Sequence, residues 1–111
     1  MPAHPVSIVL TTLGADVDAP SLARTLVEER LAACVSILPG LVSVYRWQGG
    51  VEQDREQQLL IKTTPDRLAA LEARLRQLHP YDVPELLVLD VERGGADYLA
   101  WVHESVAETV G

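Results

Sequence analysis

Three short runs of the chain are apolar at every position: Ile8-Val9-Leu10, Leu59-Leu60-Ile61 and Leu86-Leu87-Val88-Leu89. The segments between them carry apolar residues at three- and four-residue spacing instead. The first run lies in Val6 to Leu13, a β-branched stretch that stops at Gly14 and reads as a strand. Leu22, Ala23, Leu26, Val27 and Leu31 then mark one side of a helix, with Glu28, Glu29 and Arg30 on the other. Asp18 is placed to cap that helix, and Pro20 is tolerated in its first turn. Cys34 to Leu38 predicts a short strand broken at Pro39-Gly40. Leu41 to Trp47 continues extended to a turn at Gly49-Gly50, and a return strand containing Gln57 to Thr64 completes a long ribbon. Thr64-Pro65-Asp66 is a helix start with Thr64 as cap, and Leu68, Leu71, Leu75 and Leu78 form one stripe on a helix ending at His79. Glu85 to Glu92 predicts a last strand. Gly94-Gly95 turns the chain into a final helix with Tyr98, Leu99, Trp101, Val102 and Val106 as its apolar positions.

The order β-α-β-β-α-β-α predicts an α+β, ferredoxin-like sandwich: an antiparallel sheet with helices on one face and a C-terminal helix. A sheet whose second face meets water alternates apolar with polar residues. The three unbroken runs do not alternate, and one short terminal helix is too small to cover a whole face. The expectation is a homo-oligomer assembled through the sheet face and the ribbon.

Composition narrows the partners. The 111 residues make a single domain, 1–111, and the formal net charge is −7 with Lys62 as the only lysine. That balance lacks the basic stripe of a nucleic-acid binder and disfavours an anionic membrane surface. No apolar run approaches the roughly 18 residues of a membrane span, and no charged segment leads into an apolar one at the start; the expectation is a soluble, cytoplasmic protein. Cys34 is the only cysteine, which rules out an intrachain disulfide, and its neighbours Ala32, Ala33 and Val35 predict a buried thiol.

The densest chemistry lies in Leu78-His79-Pro80-Tyr81-Asp82-Val83-Pro84-Glu85, where two prolines enforce a stiff connector. It is either a ligand site or a structural corner. Together with Glu28-Glu29-Arg30-Leu31-Ala32-Ala33-Cys34-Val35, Pro39-Gly40, Ser43-Val44-Tyr45-Arg46-Trp47-Gln48-Gly49, Leu60-Ile61-Lys62-Thr63 and Tyr98-Leu99-Ala100-Trp101, it resembles the successive signatures of the CutA divalent-cation-tolerance family, from about Val6 to Val106. The resemblance implies a trimer akin in architecture to the PII regulatory proteins, with a role in tolerance of copper and other divalent metals. The positions matching the family's proposed copper ligands hold Thr11, Leu78 and His79, and only His79 retains a nitrogen donor.

His79 is therefore the metal candidate, with Asp82 or Glu85 as helpers, set against a histidine that merely caps a helix. Trp47, Lys62, Tyr81, Asp82, Glu85, Tyr98 and Trp101 are candidates for a cleft between subunits. Trp47, Tyr45 and Arg46 read equally as interface anchors, and Lys62 as a snorkelling edge residue or the receiver of an anionic ligand. His4 and His103 are expected on the surface. No nucleophile elbow, phosphate loop or dinucleotide fingerprint is present, so the expected role is binding without catalysis. The other reading is a PII-like regulatory or scaffolding trimer that takes a small anion or a protein partner.

Overall fold

In the computed structural model, which describes residues 4–108, the chain runs β1 (Ser7–Gly14), α1 (Ala19–Glu28), β2 (Cys34–Trp47), β3 (Gly50–Thr63), α2 (Leu68–Leu78), β4 (Leu87–Asp90) and α3 (Ala96–Val106). A single 3-10 turn, Pro65–Arg67, leads into α2. The four strands form one sheet in the order β2-β3-β1-β4, every neighbouring pair antiparallel. This is the ferredoxin-like α+β arrangement that the element order predicts.

The ribbon differs from its expected form in two places. Pro39-Gly40 does not end the strand: β2 continues through a register shift between Leu38 and Leu41, with Gly40 at φ 73°, as a bulge. The tip turns on Gln48-Gly49, one residue earlier than predicted, with φ of 48° and 83° at the two positions. Two consecutive positive φ values are what a two-residue hairpin loop needs to match strand twist. The resulting pair of 14-residue strands draws the molecule out to 47 × 30 × 22 Å.

Asp18 caps α1 as expected, its carboxylate accepting the Ser21 N–H at 3.1 Å. At the other end Arg30 takes φ 58°, its N–H reaching Val27 O and the Leu31 N–H reaching Leu26 O. Those two bonds satisfy the last carbonyls of the helix. Thr64 does stand at the predicted helix start, but its hydroxyl bonds the Asp66 side chain and no backbone N–H. The last strand is shorter than predicted, Leu87–Asp90 in place of Glu85 to Glu92.

The two faces of the sheet are unequal. Val9, Leu13, Leu59 and Ile61 are buried beneath Leu22 and Leu26 of α1 and Leu71 and Leu75 of α2. On the other face α3 covers one corner, where Val102 and Val106 meet Val6 and Ala33. Beyond that corner Ile8, Leu10 and Leu60 are partly exposed, and Leu38, Leu87 and Leu89 are half in water. All four residues of β4 are exposed. No described helix is long and apolar enough to cross a membrane.

Candidate functional site

A cleft of about 790 Å³ opens where the connector after α2 passes the half of the ribbon nearer its tip. Its walls are Thr12 at the end of β1, Ser43, Val44, Tyr45 and Trp47 of β2, Asp54 and Glu56 of β3, and Pro80 to Glu85. The period of two along a strand explains the convergence. Thr12 pairs with Gln58, which puts Thr12 on the open face with Glu56 and Asp54, and Ser43 lies opposite Asp54. The connector is stiffened by Pro80 and Pro84 and brings Tyr81, Asp82 and Glu85 against that face.

The polar groups here are bonded to one another. The Tyr45 hydroxyl donates to Asp54. The Tyr81 hydroxyl donates to Glu56 Oε2 at 2.9 Å, and the amide of Gln58 donates to Glu85 Oε2 at 3.0 Å and Thr11 O at 2.8 Å. Both phenols are pushed up to about 12. For Tyr45 the hydrogen bond to the Asp54 carboxylate is the main cause; for Tyr81 it is burial, followed by the bond to Glu56. A phenolate beside these acids would face a carboxylate with no proton between them. Four carboxylates and no basic side chain line the cleft among the described residues, so its field favours cations and repels anions. Arg76 stands behind the connector, in a smaller hollow shared with Tyr81 and Asp82.

His79 lies beside this cleft but has no free nitrogen. It is buried at the end of α2, its own N–H donating to Leu75 O at 2.7 Å. Its ring Nδ1 accepts the Tyr81 N–H at 3.1 Å, which fixes the proton on Nε2, and Nε2 donates to Thr12 O at 2.7 Å. A metal would have to displace one of these two bonds. Thr11 is buried on the helix-covered face, and Leu78 packs against the core. The set Thr11, Leu78 and His79 therefore does not fit copper, which needs several soft or imidazole donors converging on open space. Among the described residues no group of three or more His, Cys, Asp or Glu side chains is placed to hold a metal. The His79 ring clasps the end of β1 and ties the connector to it.

The seven cleft candidates separate. Trp47, Tyr81, Asp82 and Glu85 share the cleft, whereas Lys62, Tyr98 and Trp101 are not among its walls. Lys62 faces Cys34 across β2 and β3 on the open face, donating to Ser36 Oγ at 2.5 Å with Cys34 Sγ at 3.9 Å. Cys34, expected buried, is only partly so because its strand leaves that face uncovered. Tyr98 and Trp101 stack at 5.5 Å on α3, and the Tyr98 phenol is pushed up by burial and by the charge of Cys34. Asp54 and Glu56 were missed as cleft residues, although pairing the ribbon backwards from its tip would have found them.

Comparison with known proteins agrees with this architecture. Residues 7–105 match the model of the family described as CutA1 divalent ion tolerance protein. The divalent-cation tolerance protein CutA of Thermus thermophilus is 49% identical over 98 residues, 88% of this chain and 95% of that protein. Its counterpart from Pectobacterium atrosepticum is 50% identical over 99 residues, 89% of this chain and 90% of that one. The crystal structure of CutA1 from Ehrlichia chaffeensis superposes with a TM-score of 0.89 at 27% identity, covering 96% of this chain and all of that one. A structure from Archaeoglobus fulgidus, described as a periplasmic divalent cation tolerance protein, superposes at 0.87 with 29% identity, covering 92% of this chain and 99% of that one. The chain belongs to the CutA1 divalent ion tolerance family.

Proposed function

We propose that this single-domain chain, 1–111, works as a homotrimer in divalent-cation tolerance, binding cations without catalysis in the cytoplasm, with copper among the metals it meets. One observation carries the assembly: β4 is apolar and exposed, and among the described residues no strand lies beside its outer edge. Open backbone N–H and C=O groups flanked by Leu87, Val88 and Leu89 are a template for a further strand, and a second copy would satisfy them. The exposed apolar ribbon residues Val42, Val44, Trp47 and Val51 offer a second such surface, on the side of the sheet away from β4. The number three comes from the family resemblance.

The cation reading draws on the family and on the acidic cleft, where Asp82 and Glu85 supply hard oxygen donors. Sedimentation equilibrium should find a mass of three chains at micromolar concentration; a monomer there overturns the assembly. Cell fractionation tests the compartment, since one relative is described as periplasmic.

A second reading is favoured by Lys62. It is the only lysine, it sits on the open face, and Ser36 and Cys34 leave part of its ammonium unengaged. In that reading a small anion is received between subunits beside Tyr98 and Trp101. Thermal shift with phosphate and citrate, lost in Lys62→Gln, would support it over metal binding.

A further inference from the structure

His4 and His103 stand 99 residues apart in sequence, and nothing in the sequence pattern joins them. The fold brings their rings into contact: the centroids lie 5.1 Å apart, with the planes inclined at 63°. His4 is exposed just ahead of β1, and His103 is partly exposed on α3. The corner that α3 forms against Val6 and Ala33 holds them together, since Val102 and Val106 are buried there on either side of His103. His103 Nε2 lies 2.6 Å from Pro5 O. A carbonyl only accepts, so Nε2 carries the proton and Nδ1 of the neutral ring has the lone pair.

We infer that His4 and His103 form a two-imidazole site for a borderline transition-metal dication, with Cu(II) bound most tightly. Three points support it. A backbone carbonyl holding the far ring nitrogen is the outer-shell partner that metal-ligating histidines use to fix tautomer and orientation. The spacing also suits a shared ion. With metal–nitrogen bonds of about 2.0–2.1 Å, each ring centroid lies roughly 3.2 Å from the metal, so two imidazoles in adjacent positions stand about 4.5 Å apart on a tetragonal Cu(II) centre and about 5 Å apart on a tetrahedral Zn(II) one, within a side-chain adjustment of the observed spacing. Imidazole nitrogen selects Cu(II), Ni(II) and Zn(II) over Mg(II) and Ca(II), and Cu(II) heads that order.

Two protein donors leave the remaining positions to water, so the ion is exchangeable, as suits a protein that meets cations without keeping them. The formal charge of −7 helps to draw a dication to the surface. The site is separate from His79, whose nitrogens are both engaged.

The inference rests on the divalent-cation reading for its choice of metal, and the experiment separates the two. The full chain is titrated with Cu(II) by calorimetry, with electron paramagnetic resonance on the bound ion. His4→Ala and His103→Ala should each weaken binding at least tenfold, and the spectrum should lose the coupling of one imidazole nitrogen. His103→Gln keeps a side-chain N–H for Pro5 O, which separates loss of the ligand from loss of the fold, and it should bind as weakly as His103→Ala. Unchanged affinity in both histidine variants overturns the site, while copper bound elsewhere still registers and leaves the cation reading standing. Loss with His4→Ala alone also overturns it, placing the metal on backbone nitrogens beside His4.

Discussion

Ile8-Val9-Leu10 and Leu87-Val88-Leu89 lie side by side in the sheet, Val9 opposite Val88, and are nearly equal in composition. Val9 is fully buried, while Val88 is 38% exposed. Their sequences do not account for the difference; their positions do. β1 has β3 on one side, β4 on the other and two helices above, whereas β4 has, among the described residues, one neighbour and an open edge. The central valine of one triplet is core and that of the other is partly in water. Surface of that kind is what the proposed assembly would cover.

The largest expected effect falls on the β1 side. Leu13→Ala removes a side chain with no exposed surface and should lower the unfolding free energy by about 2–5 kcal/mol. Urea titration should show that loss undiminished on dilution, because the site is internal to the chain. On the β4 side, the pair Leu87→Glu and Leu89→Glu puts charge on the exposed edge without touching the core. Association at a hundred times the dissociation constant contributes about 2.7 kcal/mol to a folded species. The variant should lose about that much, sediment as a monomer, and show a midpoint independent of concentration. If it remains trimeric, β4 is not the surface that copies share, and the contrast with β1 loses its meaning.

The fold was legible because its signals are local. Leu22, Leu26, Leu71 and Leu75 recur at helical spacing and are buried where that spacing places them. The features that needed the structure depend on register. Pro39-Gly40 reads as a break until β3 is seen pairing through it as a bulge. Asp54 and Glu56 join the cleft only once the tip turn fixes which strand residue faces which. His79 stands out in the sequence as a metal candidate or a helix cap, but its ring partner is the carbonyl of Thr12, and backbone carbonyls leave no trace in a sequence. Within one chain Lys62 on β3 is not among the walls of the cleft that the connector residues Tyr81 and Glu85 line.

His79 bears on the comparison because it ties the end of β1 to the connector that delivers β4. His79→Ala leaves Thr12 O and the Tyr81 N–H without their partners at a partly buried site, a cost of about 1 kcal/mol. Amide hydrogen exchange should quicken in β4 and the connector before it does in the β1–β3 ladder. If protection falls equally in all three strands, the ring supports the core as a whole and not the placement of the edge strand.

The smallest effect is also the one most sensitive to a partner. The Tyr81 phenol titrates at about 12 against an ordinary 10, so above pH 10 the unfolded chain gives up this proton while the folded chain keeps it. Its contribution to stability is complete below about pH 10 and is lost as the pH rises through 12. Tyr81→Phe should therefore flatten the alkaline limb of the stability curve between those values and remove one late step from the absorbance titration at 295 nm. Tyr45→Phe should remove a second late step with little change in stability, since that phenol stands on the exposed ribbon and water screens it. Both shifts arise within one chain. If a neighbouring copy also covers the cleft, added burial should carry the Tyr81 step higher in the assembled protein than in the Leu87→Glu, Leu89→Glu variant. Identical titrations in the two would mean that the cleft stays open to water and that the partner meets the β4 edge alone.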